Sequence, residues 1–119
     1  MLPFKNRLTK RRDIEKLQKG GEFFSEANIA VKSVKNGLPE TRIGFAAGLK
    51  YSKKAVERNL VKRQLRDIVQ KMLPRVKKGF DVLVMIRKRE EEKVRFEKLE
   101  KNIEGVLQKS GLMEIKNNL

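Results

Sequence analysis

The chain contains no cysteine and no histidine. The first absence excludes a disulfide framework and thiolate chemistry and suits a reducing compartment. The second removes the imidazole that most often serves as a catalytic base or a nitrogen ligand for zinc. Long apolar runs are missing too: the longest, Val82 to Ile86, is far shorter than the roughly 20 residues of a membrane-crossing helix. The opening stretch, MLPFKNRLTKRR, lacks the apolar centre and small-residue cleavage site of a secretory signal. A cytoplasmic protein without membrane contact is expected. Nothing repeats and no linker interrupts the 119 residues, so the expectation is one domain over 1–119, with 110–119 as a frayed tail. A chain of this length can hide about two-thirds of its unfolded surface and hold one real core.

Positive charge is what the chain has in excess. Thirty Lys and Arg stand against fifteen acidic residues, a net +15 that goes well beyond the needs of solubility. The excess is localised. Residues 1–20 carry seven basic and two acidic side chains, residues 50–66 carry seven and one, and together they supply +11. Charge gathered in two segments marks a footprint for a polyanion.

Periodicity outlines the elements. Thr9 can cap a helix from Lys10 to Lys19, with Ile14 and Leu17 as apolar contacts and Gly20-Gly21 as its stop. Asn28–Val34 and Thr41–Ala47 have strand character, and the KNGLPE segment between them carries turn residues, so the two are expected to pair as an antiparallel hairpin. Ser52 can cap a long helix that runs to about Leu73, before Pro74. Gly79–Ile86 is apolar on both faces apart from Asp81, as in a covered inner strand. Glu92–Ser110 places Phe96, Leu99, Ile103, Val106 and Leu107 at helical spacing, with Gly111 as the stop. The class is α+β, one sheet with helices packed over it.

On the long helix, Val61, Leu65, Ile68, Val69 and Met72 fall on one side at about 100° per residue. Arg58, Lys62 and Arg66 form a row four apart, with Asn59 and Arg63 beside it. The nearest carboxylates, Glu57 and Asp67, project away from that row, whereas an ordinary solvated face mixes signs at i, i+4. Guanidinium groups match phosphate geometry, and Asn59 offers a donor and an acceptor for a backbone or a base edge.

ERNLVKRQLRD resembles the signature of the bacterial ribonuclease P protein, Arg-Asn-x-x-Lys-Arg-x-x-Arg, at Arg58, Asn59, Lys62, Arg63 and Arg66. RIGFAAGLKYSKKA is similar to that family's Arg-Ile/Val-Gly strand and its following lysines, here Lys50, Lys53 and Lys54. NRLTKRRDI resembles its N-terminal segment and KGFDVLVMIRK its fourth strand, so the likeness runs from about Leu2 to Leu112.

The resemblance implies an αβββαβα two-layer sandwich with an unusual left-handed βαβ crossover, a fold shared with a ribosomal-protein domain, and an additional short strand near Glu22–Ser25. It implies binding to the catalytic RNA of ribonuclease P and to the 5′ leader of precursor tRNA, with no obligate protein partner. The leader is removed by hydrolysis of one phosphodiester bond. Catalysis then belongs to the RNA and its bound Mg²⁺, and the protein contributes neither catalytic residues nor metal ligands. Lys50, Lys53, Lys54, Arg58, Asn59, Lys62, Arg63 and Arg66 would face the RNA. Arg11, Arg12, Ile14, Gln18 and Lys32 would line the leader cleft, and Asn6, Arg7 and Lys10 would extend the basic surface. Where the family carries aromatics, this chain has Ile14, Gln18 and Lys32. Phe23, Phe24 and Phe45 are candidate substitutes, though each is more readily read as core. Tyr51 is open between an RNA contact and a plain surface role.

A structural or ribosomal-type RNA-binding protein would share the size and charge, and a basic helix could also enter DNA. A self-sufficient nuclease would need carboxylates. The REEEK run near Glu90 to Glu92 is better explained as a helix start whose negative charge suits the dipole.

Overall fold

The most apolar stretch of the chain becomes the centre of its sheet. A computed structural model describes residues 2–87 and 96–114, apart from the side chains of residues 96 and 97. After a 3₁₀ turn at Phe4–Asn6, the order is α1 (Arg11–Gly20), β1 (Glu22–Glu26), β2 (Ile29–Lys35), β3 (Arg42–Ala47), α2 (Ala55–Met72), a 3₁₀ turn at Leu73–Arg75, β4 (Phe80–Ile86) and α3 (Phe96–Lys109). This is the αβββαβα order, and β1 is the additional short strand. The sheet runs β1-β2-β4-β3. β4 is antiparallel to β2 and parallel to β3, so β3, α2 and β4 form a βαβ unit. Paired on both edges and covered on both faces, β4 has apolar residues on each side.

The expected hairpin between residues 28–34 and 41–47 does not form, because β4 lies between the two strands. Alternating polarity identifies a strand but not its neighbour. The loop at 36–41 crosses the start of β4 instead. The Asn36 backbone N–H donates to the Gly79 carbonyl at 2.9 Å, its Nδ2 donates to the Glu40 carbonyl at 3.0 Å, and its Oδ1 accepts from the Leu38 N–H at 2.8 Å. Gly37, at φ +70°, supplies the left-handed residue that this bend requires. The hairpin that does form joins β1 and β2, with Glu26 opposite Ile29 and Ala27 at φ +52° in the two-residue turn.

On one face of the sheet Ile29, Val31, Ile43, Val82, Val84 and Ile86 pack with the buried side of α2 and with Leu99, Ile103, Val106 and Leu107 of α3. Each such side chain contributes about 1.5–3 kcal/mol when fully buried. On the other face, α1 sets Leu17 and Ile14 against Leu8, Val34, Ala46, Leu83 and Met85.

Two expected caps are displaced. Residues 7 and 8 still run beside β3, the Leu8 N–H donating to the Ile43 carbonyl at 3.1 Å, so α1 turns later than Thr9 allows and Lys10 occupies the cap. Lys54 caps α2. Ser52 lies two residues earlier, its Oγ accepting from the Lys54 N–H at 3.1 Å. Pro74 falls in the 3₁₀ turn that ends the helix. The expectation of a frayed tail from residue 110 fails over 110–114. Leu112 and Met113 are buried, and the Leu112 carbonyl accepts from the Lys77 N–H at 2.8 Å. Residues 115–119, and the acidic run at 90–92, lie outside the described residues.

Candidate nucleic-acid interface

α2 presents its cations because its apolar side is fully used. With Val61, Leu65, Ile68, Val69 and Met72 buried, the adjoining side must face outward. Asn59, Arg63 and Arg66 are exposed there, Arg58 and Lys62 are half-buried, and Lys50, Lys53 and Lys54 are exposed on the approach. None of these seven cations lies within ion-pair distance of a described carboxylate. Glu57, the nearest in sequence, meets the Ser52 hydroxyl at 3.2 Å. Like charges without counter-charges produce a concentrated positive potential. Two of the guanidinium groups are also held by the protein. Arg58 donates from Nη1 to the Ser52 carbonyl at 2.9 Å, and the Arg66 guanidinium lies 5.9 Å from the centre of the Phe45 ring.

The second surface is the sheet face beneath α1, which the helix covers only in part. Here the expected residues divide. Arg12 and Gln18 are exposed, and Arg11 is exposed but paired with Glu15 at 3.0 Å. Ile14 is half-buried in the apolar cluster, so it packs α1 onto the sheet more than it offers a platform. Lys32 donates from Nζ to the Gln18 carbonyl at 2.5 Å, satisfying one of the carbonyls that a helix end leaves unpaired. The aromatic on this face is Phe23, which sequence reasoning favoured as core. It is 50% exposed, with the Arg87 guanidinium 5.7 Å from its ring centre. Its register partner is Lys32, which fixes it to the open face, whereas Phe24, Phe45 and Tyr51 all pack toward the main core.

Of the N-terminal residues, Lys10 is exposed but Asn6 is not available for binding. Asn6 is only 3% exposed and donates from Nδ2 to the Thr41 carbonyl at 2.8 Å. Arg7 donates from Nε to the Leu2 carbonyl at 2.8 Å and forms a bridge with Ile43. Both belong to the segment that runs along β3. Gly44 is part of the same arrangement, because a Cβ there would sit 3.0 Å from the Leu8 carbonyl oxygen.

Sequence reasoning missed the ion cluster beside this surface. Arg42 donates to both oxygens of Asp81, at 2.8 and 2.6 Å, and lies 3.5 Å from Asp13 of α1. Asn36 Nδ2 donates to the same Asp81 at 3.0 Å. The hydrogen bonding to Asp81, and then the charges of Asp81 and Asp13, raise the Arg42 pKa above its usual value against the opposing effect of burial. The available signal was Asp81 itself, a lone carboxylate in an apolar strand that requires a buried partner.

Among the described residues no group of three or more Asp and Glu could hold a metal ion, and no helix is long and apolar enough to cross a membrane. Fold and surface define a small basic α+β protein that presents cations and a half-exposed aromatic. The ribonuclease P family model matches residues 2–111. A ribonuclease P protein component from a Synechococcus species is 34% identical over 118 residues, covering 95% of this chain and 87% of that protein. One from Symbiobacterium thermophilum is 38% identical over 88 residues, covering 74% of each. The structure of the RNase P protein from Thermotoga maritima in complex with 1-(4-fluorophenyl)-2-thiourea is 32% identical, with a TM-score of 0.76 over 92% of this chain and all 100% of that one. The RNase P protein of Staphylococcus aureus shares the fold, with a TM-score of 0.80 over 92% of this chain and 98% of that one at 21% identity. The chain belongs to the ribonuclease P protein family, the protein component of a tRNA-processing ribonuclease.

Proposed function

We propose that this chain binds the catalytic RNA of ribonuclease P through the α2 arc, and the 5′ leader of precursor tRNA across α1 and the open sheet face. By doing so it promotes leader removal in the cytoplasm, without an obligate protein partner. The observation that carries the reading is the set of seven cations on and before α2 that have no carboxylate partner among the described residues, in a chain of this family. A-form RNA has a major groove too deep and narrow for a helix, so the arc would meet backbone phosphates and irregular, unpaired regions. Phe23 and Arg87 supply a stacking surface and a cation beside Lys32 for a single-stranded leader.

Mg²⁺ in this reading is held by the RNA. Several described carboxylates are engaged with cations: Asp13 and Asp81 with Arg42, Glu15 with Arg11, and Glu26 with Lys109. The protein's part in this reading is to neutralise phosphates and hold the substrate.

Reconstitution tests the reading. Precursor tRNA is incubated at low Mg²⁺ with a bacterial ribonuclease P RNA, with this protein, or with both. Leader removal should be fastest with both and absent with the protein alone. Cleavage by the protein alone would make it a nuclease in its own right. Binding of structured RNA without stimulation of cleavage would favour a structural RNA-binding role.

A further inference from the structure

α2 is apolar on two opposite sides. Val56 is 79% exposed and Leu60 52% exposed. One turn apart, they form a strip about 145° from the middle of the buried side. The strip borders the cation arc: Asn59 and Arg63 fall within about 60° of it, and exposed Lys53 precedes Val56 by three positions. Asp67 stands at its far end, one turn beyond Arg63.

A lone exposed apolar residue needs no explanation. Here two stand together, valine is a poorer helix former than the Lys, Arg or Gln that could replace it, and neither contributes to the described core. An occupant must offer a flat apolar surface and dense negative charge a few ångströms away. An unpaired nucleotide has both, whereas a fully paired duplex hides its base faces.

We propose that Val56 and Leu60 form a contact strip for unpaired nucleobases of the RNA. Base faces rest on the aliphatic side chains, Arg63 and Lys53 hold the adjoining phosphates, and Asn59 is available to hydrogen-bond a base edge. The inference rests on α2 being the RNA-binding surface, and names what part of the RNA this strip meets.

The test compares the full chain with the double variant V56Q/L60Q and with Arg63→Ala, each titrated with a bacterial ribonuclease P RNA at several salt concentrations. Gln favours helix, and circular dichroism establishes that each variant is folded. The double variant should bind roughly three- to tenfold more weakly, by the same factor at every salt, because it loses apolar contact and no charge. Arg63→Ala should lower the salt slope by about 1. A fully paired RNA duplex should bind the parent and the double variant equally. Undiminished affinity in V56Q/L60Q, with the Arg63 effect intact, would overturn the strip and leave the α2 reading standing. A change in self-association without a change in RNA affinity would also overturn it, assigning the strip to a second copy of the chain. If neither variant alters binding, α2 itself is not the RNA surface.

Discussion

Arg42 and Asp81 stand opposite each other in register across the parallel strands β3 and β4, joined by hydrogen bonds of 2.8 and 2.6 Å. Around this pair gather Asp13 from α1 and Asn36 from the loop that crosses β4. The Arg42–Asp81 pair therefore fastens the first helix, two strands and a loop on the face proposed for the leader, which explains a charged residue in the most apolar strand of the chain.

Replacing Asp81 with Asn should cost about 2–4 kcal/mol, because it leaves a half-buried guanidinium without its main counter-charge. Replacing Asp13 with Asn removes a longer, better-solvated pair and should cost about 0–1 kcal/mol. Urea unfolding of both variants measures the difference. Equal, small losses would mean that the cluster does not organise this face.

Lys62→Ala should leave the unfolding midpoint nearly unchanged and Arg66→Ala should cost about 0.5–1 kcal/mol through its lost contact with Phe45, while each lowers the salt slope of RNA binding by about 1. Arg58→Ala should lower the slope and also destabilise, by about 1 kcal/mol, because its bond to the Ser52 carbonyl holds the approach to α2. Thermal unfolding beside salt-dependent binding separates the two roles of Arg58.

Phe23→Ala should reduce the preference for precursor over mature tRNA by about 1–3 kcal/mol if the ring stacks on a leader base. Affinity for mature tRNA should be unchanged. Introducing Phe at Ile14 should add less than its size suggests, because that side chain is already packed under α1. The quantity to measure is the difference between precursor and mature affinities; a Phe23→Ala variant that keeps the full preference would move the leader elsewhere.

Ala27→Gly should stabilise the protein by about 0.5–1 kcal/mol. Alanine at φ +52° is strained by about 1–2 kcal/mol, and glycine relieves this at a smaller entropic cost. Denaturant unfolding gives the sign, and a destabilised variant would show that the turn carries no such strain.

Much of the fold is legible in the sequence. The core side of α2, the inner position of β4, the stops at Gly111 and Pro74, and the arc from Arg58 to Arg66 follow from periodicity and charge, which act within a few residues. Partnership was not legible in the same way. An alternating pattern is satisfied by any neighbour that buries its apolar face, so nothing in β2 or β3 announced that β4 would lie between them. The same limit misplaced Asn6 in the binding surface, read Phe23 as core and left Arg42 unassigned, because each depends on contacts with residues distant in the chain. Local periodicity and charge are enough to require a long helix with a buried apolar side and a cationic arc beside it. Which other residues share that surface, and which are consumed in holding it together, is set by the assembled chain, because burial and pairing join residues distant in sequence.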